Sequence, residues 1–141
     1  DIIIAQGGEA GGHTGDISAM VLTPQCADLC KGKAVLVGAG GIYDGRGIAA
    51  SMALGASGVW VGTRFVMTHE ANANVGWLKA NLAANSGDTI RTEIYTGRPL
   101  RGLKNPHNMG WAKREAEARE LYAKGKIPTQ QDVEAGIIPI D

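Results

Sequence analysis

Three short apolar runs that each finish in glycine constrain this chain more than any other feature: IIIAQGG from Ile2, AVLVGAGG from Ala34 and GVWVGTRF from Gly58. They are rich in β-branched residues and do not alternate with polar ones, which is the pattern of strands buried on both faces of a parallel sheet. The segments between them have the length and punctuation of helices. Thr23 and Pro24 predict an N-cap followed by a first-turn proline for a helix through QCADLCK, closed by Gly32. Asp44 predicts the cap of a second helix over GRGIAASMAL, with Gly55 just past its end. Strand, helix, strand, helix, strand implies right-handed crossovers, with the loops at the carboxyl ends of the strands carrying the function.

Beyond the third strand, THEANANVGWLKANLAANSG predicts one further helix that covers the sheet, with Thr68 as its cap and Gly87 as its stop. The last third changes character. TIRTEIYTGRPLRGLKNPHN mixes short alternation with Gly and Pro, its basic stretch Arg98 to Lys104 reads as a solvated loop, and MGWAKREAEARELYAKG reads as one charged amphipathic helix. The expected organisation is therefore βα units over residues 1–88 and a C-terminal extension packing on them over 89–141. Three parallel strands make too small a sheet to stand alone, and a (β/α)₈ barrel takes about 250 residues. The expected fold class is accordingly α/β, the C-terminal portion of a (β/α)₈ TIM barrel with an appendage, and the chain reads as the last part of something larger.

Charge excludes some functions. Lys plus Arg and Asp plus Glu are equal at 14 each, so there is no basic field to draw the protein to nucleic acid or anionic lipid. No apolar run approaches the roughly 20 residues that cross a bilayer, and a small-molecule role fits best. The chain opens without methionine inside a predicted strand, which leaves room for a targeting segment upstream; a cytoplasmic location is the default expectation. Cys26 and Cys30 lie four apart on one predicted helix face and read as two core thiols rather than a disulfide or half of a zinc site.

The glycine clusters carry the chemistry. In GAGGIYDGRG a strand runs into glycines and then into a capped helix, so backbone N–H groups can approach a ligand with no Cβ in the way, and a phosphate is the natural guest. The dinucleotide fingerprint is not met, because the next strand ends in VGTRF rather than in an acidic residue. Two adjacent glycine-ended strands instead suit the phosphate site that barrels build after their last strands. His13 lies in the first loop, flanked by Gly11, Gly12 and Gly15, with little local packing to serve and good access to a ligand. Imidazole there can accept a proton or donate a hydrogen bond near neutral pH. Glu9 either orients it or caps a turn. His69 and His107 stand apart from this loop, and the three histidines have no metal-ligand spacing.

Taken together, AQGGEAGGHTG, GAGGIYDGRGIAASMALGASGVWVGTRF and the spacing between them resemble the nitronate monooxygenases, also called 2-nitropropane dioxygenases, a family of FMN-dependent (β/α)₈ barrels. The tail YTGRPLRGLKNP is similar to that family's C-terminal region. The resemblance implies that His13 is the catalytic residue and that Gln6 and Gly11 contact the flavin. It further implies that Gly41, and the run Trp60, Val61, Gly62 and Thr63, hold the flavin phosphate. The implied cofactor is FMN, and the implied reaction converts an alkyl nitronate and O₂ to a carbonyl compound and nitrite. By the same resemblance, the first strands of the barrel and an N-terminal loop of the flavin pocket are absent from this chain. Three rivals stay open: a flavin-dependent enoyl-acyl-carrier-protein reductase using NAD(P)H, a flavin-free phosphate-binding lyase or isomerase, and a non-enzymatic half-barrel that associates with copies of itself through exposed strand edges.

Overall fold

The computed structural model describes residues 1–137 and divides the chain into two compact units, Asp1–Asn74 and a second that begins at Val75. In the first unit, β1 (Ile2–Gln6), β3 (Val35–Ala39) and β4 (Gly58–Trp60) form a parallel sheet in the order β1-β3-β4. A two-residue extended stretch, β2 (Gly12–His13), lies in the loop after β1. The register pairs Gln6 with Ala39 and Ala39 with Trp60, so all three strands finish at one edge. Helices α1 (Ala19–Cys30) and α2 (Gly45–Ala53) make the two crossovers. The strand–helix alternation expected of the sequence is therefore present, and parallel pairing follows from it.

The central strand carries the burial. Leu36 and Ala39 of β3 are buried, as are Ala5 of β1 and Ala56 before β4. Gly38 lets α2 lie close on the sheet, since a Cβ there would stand 3.1 Å from Ser51 Oγ. Gly55 does the same between helices: a Cβ on it would be 2.6 Å from Ala27 Cβ, and its φ is +99°. By contrast, the expectation that β1 is covered on both faces is not met, for Ile2, Ile3 and Ile4 are 69%, 43% and 47% exposed. β1 is an edge strand, and among the described residues no fourth strand pairs with it in this sheet.

Both crossover helices end as expected and one begins differently. Asp44 caps α2, its Oδ1 accepting from the amides of Arg46 at 3.0 Å and Gly47 at 3.3 Å, and Gly55 follows the last turn. Asp44 Oδ2 also takes the Arg46 guanidinium at 2.5 Å and 2.9 Å. Chiefly for that reason, and with help from the two amides, its carboxyl titrates below the ordinary carboxylate range. Gly32 closes α1 with φ +71°. The start of α1, however, lies four residues before the expected Thr23 cap, leaving Thr23 buried and Pro24 inside the helix. The proline removes the amide that would have reached Met20 O, a cost that helix interiors usually avoid. Cys26 and Cys30 are both free and half-buried on α1 rather than core. The third apolar run ends at Trp60; Gly62 then opens a four-residue helix, α3 (Thr63–Val66), so Thr63 to Phe65 are helical rather than strand.

The single helix expected after Thr68 is broken in two. Thr68 precedes a 3₁₀ turn, His69–Ala71, which stops at Asn72 in the left-handed region with φ +49°. Helix α4 (Val75–Ala83) begins the second unit and ends before Gly87, which sits in another 3₁₀ turn, Ser86–Asp88. The second unit continues as an antiparallel hairpin, β5 (Thr89–Thr92) with β6 (Leu100–Leu103), and three helices, α5 (Pro106–Ala112), α6 (Glu115–Ala123) and α7 (Pro128–Glu134). Part of the basic stretch is thus a strand and not a solvated loop: Arg101 donates to Thr89 Oγ1 at 3.2 Å and Lys104 Nζ to Gly87 O at 2.6 Å. Lys104 N also donates to Asp88 O at 2.8 Å, which ties residues on both sides of position 88 into this unit. The amphipathic helix expected from Met109 is likewise two helices, parted at Lys113 and Arg114.

Ile94, Trp111, Ala118 and Leu121 form the core of the second unit, with Tyr95 and Tyr122 packed against it. Its polar centre is Asp132, 6% exposed, whose Oδ2 accepts from Trp111 Nε1 at 2.6 Å and lies 3.5 Å from His107 Nδ1. The other ring nitrogen, His107 Nε2, is 3.0 Å from Thr129 Oγ1. Asn108, also buried, donates to Leu103 O at 2.8 Å and shares a capping box with Asn105. These bonds fasten α7 and the hairpin to α5, and among the described residues no buried side-chain nitrogen or oxygen is left without a partner.

Two outcomes are expected. Trp111→Phe leaves the Asp132 carboxylate short of a donor and destabilises the second unit by about 1–3 kcal/mol, seen as faster amide exchange across α5 and α7 in urea. Because the Asp44 carboxyl is held below its ordinary value of 3.8, its contribution to α2 is complete above that pH and fades as the pH falls through the lowered value. Exchange at the Arg46 and Gly47 amides should accelerate there, and Asp44→Asn should remove that pH dependence.

Candidate active site

The loop after β1 is held in shape by its own backbone. Gly7 N donates to Ala39 O at 2.9 Å, carrying the β1–β3 ladder one step past the strand, and Gly8 N donates to Ile17 O at 2.8 Å, closing the loop's neck. Inside the neck, Ala10 N reaches Gly7 O at 3.1 Å, and Thr14 Oγ1 donates to the same oxygen at 2.9 Å. The Gln6 side-chain amide donates to His13 O, so the residue at the end of β1 holds the backbone of the histidine directly. Gly12 takes φ +77°, a conformation that suits glycine, and His13 stands exposed beside it.

Glu9 does not orient His13 directly. Its two carboxylate oxygens lie 3.0 Å and 3.1 Å from the amide of Ala19, the first residue of α1. Ser18, at the N-cap position, makes no side-chain bond to the first turn, so an acidic residue ten positions upstream of Ala19 serves as the cap.

Glycine lets the other strand ends close on this loop. A Cβ on Gly40 would stand 2.9 Å from Gly7 O and 3.1 Å from Gly7 N, and Gly40 has φ +95°. A Cβ on Gly41 would meet Glu9 Cβ at 3.2 Å, and one on Gly11 would meet Thr63 Oγ1 at 2.9 Å. The loop carrying Gln6, Gly11 and His13 therefore rests on the loop after β3 and reaches the start of α3, all at the carboxyl edge of one sheet. Gly62 O accepts from Phe65 N at 2.9 Å and Val66 N at 3.2 Å, which turns the chain after β4.

The structure thus brings Gln6, Gly11, His13, Gly41 and Thr63 to one end of the first unit, together with Val61 and Gly62. Trp60 is at the same edge and 61% exposed. His69 lies in the 3₁₀ turn, and His107 is structural in the second unit. Thr14 escaped sequence reasoning, and of the two readings offered for Glu9 the cap is the one observed, on a helix ten residues away. Both act across at least seven residues of loop, where no local spacing signals a partner. Among the described residues no group of three His, Cys, Asp or Glu could hold a metal ion. No helix among them is long and apolar enough to cross a membrane.

Comparison with known proteins agrees with this geometry. Residues 1–127 match the family model described as nitronate monooxygenase. A probable nitronate monooxygenase of Staphylococcus haemolyticus is 43% identical over 116 residues, covering 74% of this chain and 32% of that protein. The structure of FabK from Thermotoga maritima superposes with a TM-score of 0.77 at 36% identity, over 85% of this chain and 38% of FabK. Nitroalkane oxidase from Streptomyces ansochromogenes gives a TM-score of 0.68 at 36% identity, over 74% of this chain and 33% of its own. The chain spans about a third of the length of the curated relatives it matches. By the extent of the family match, the chain belongs to the nitronate monooxygenase family.

Proposed function

We propose that this chain supplies the substrate-facing histidine and the phosphate-binding strand ends of an FMN-dependent (β/α)₈ barrel that oxidises alkyl nitronates with O₂ to a carbonyl compound and nitrite. The observation that carries the reading is the closure of the His13 loop on the strand ends: Gly11 on Thr63, and Gly40 on Gly7. Backbone packed this closely at the carboxyl ends of the strands fits a flat cofactor with a phosphate tail. The likeness to a nitroalkane oxidase points to the same class of substrate.

In this reading Gln6 and Gly11 lie against the flavin, while Gly41 and the run Trp60, Val61, Gly62 and Thr63 hold its phosphate. FMN, when bound, supplies the redox chemistry between nitronate and oxygen. His13 binds the nitronate oxygens by hydrogen bonds, or takes the α-proton onto an imidazole nitrogen when a neutral nitroalkane is offered. Gln6 keeps that imidazole in place through the His13 carbonyl. The hairpin and the helices after it, within residues 89–141, are the appendage of the barrel.

Protein expressed from its complete coding sequence should purify with FMN and consume O₂ with propyl-2-nitronate in the absence of NAD(P)H. His13→Ala should retain the flavin and lower kcat by about 10²–10⁴-fold. Turnover that demands NAD(P)H would favour the enoyl reductase, and protein without flavin would remove both. Gly41→Ala should weaken FMN binding by about tenfold or more, read by flavin fluorescence, because the added methyl would meet Glu9 Cβ at 3.2 Å at a φ of +71°, and the backbone that approaches the phosphate must shift to admit it.

A further inference from the structure

We propose that Glu9 is a positioning residue that sets the His13 loop and the loop after β3 in one fixed relation, beyond its service as the cap of α1. The consequence for catalysis rests on the proposed function; the positioning itself does not.

Glu9 stands where three parts of the first unit meet. Its carboxylate takes the amide of Ala19 with both oxygens, fixing the loop's far end to α1. Its Oε2 and the Ala19 amide nitrogen each stand 2.5 Å from where a Cβ on Gly7 would be, so a bare Gly7 is what lets the helix start and the carboxylate meet beside it. Its Cβ lies against Gly41, 3.2 Å from where a Cβ there would be. Gly7 is in turn the residue whose carbonyl receives Thr14 Oγ1 and Ala10 N. A shift of Glu9 therefore moves the inner wall of the His13 loop and the Gly41 backbone together. A cap alone needs neither contact: Ser18 already holds the N-cap position with extended φ −65° and ψ 150° and makes no side-chain bond.

That unused cap position separates the two roles. Glu9→Ala should lower the melting temperature and reduce kcat by about tenfold or more, since small misplacements of a reacting group are costly. Adding Ser18→Asp to Glu9→Ala supplies a new cap to α1 and should restore the melting temperature. In that double variant kcat should stay depressed with little change in KM, and the NMR signals of the His13 ring and the Gly41 amide in ligand-free protein should stay displaced from wild type. Recovery of kcat and of both signals along with stability would reduce Glu9 to a cap and overturn the proposal.

Glu9→Gln decides the matter if Glu9→Ala does not fold. Unlike alanine it keeps Cγ, 3.9 Å from where a Cβ on Gly41 would be, together with one acceptor for Ala19, so kcat should remain within about threefold of wild type. A larger loss with both signals unmoved would make the role one of charge and overturn positioning. Should wild-type protein turn over no nitronate, the proposed function falls, while the His13 and Gly41 signals still answer whether Glu9 sets the two loops.

Discussion

Backbone lying directly on backbone at Gly7 and Gly40 is the contact from which the rest of the first unit follows. With 2.9 Å between Gly7 O and the place where a side chain on Gly40 would begin, the loop after β3 could carry no ordinary residue there without parting from the loop after β1. The β1–β3 ladder continues through this point, since Gly7 N still bonds Ala39 O. The two loops thus leave the sheet already in contact, and each later feature inherits that spacing: the reach of Glu9 to α1, the hold of Gln6 on His13, and the approach of Gly11 to Thr63. Glycine costs conformational entropy wherever it is ordered, and here that cost is offset by a proximity that other residues would forbid.

Where the fold is written in short-range terms, the sequence could be read. The order of strands and helices, the Asp44 cap, the closing Gly32 and Gly55, and the gathering of the glycine-ended strands at one edge all follow from neighbours within a few residues. The readings that fail do so where a distant group decides, or where one residue turns the chain. Helix α1 starts early because a glutamate from the preceding loop caps it. The helix after Thr68 breaks because Asn72 adopts a left-handed turn that spacing alone does not announce. The isoleucines of β1 carry the composition of a covered strand and yet are exposed, for composition records what a strand is suited to and not what lies beside it.

The second unit shows the opposite balance. Its hairpin and short helices have weak local signals, with proline and glycine spread through them, and its order comes from a few buried polar bonds. Asp132 gathers Trp111 and stands beside His107, while Asn108 holds the end of β6. Arg114 completes the picture from outside, its guanidinium 3.7 Å from the centre of the Trp111 ring. A histidine that composition alone offers as a candidate for chemistry is thereby accounted for as a support of helix packing.

The contact between Gly55 and Ala27 reaches further than the turn it closes. Since the space at residue 55 is taken up to 2.6 Å by the methyl of Ala27, these two positions share one small volume at the place where α1 passes the end of α2. Neither can enlarge by itself without pushing the helices apart, and α2 is the element whose start lies beside the Gly40–Gly41 loop. Among descendants of this sequence, residue 27 should therefore stay small for as long as the helices keep their spacing, although it lies on the far side of the sheet's chemistry and touches none of it.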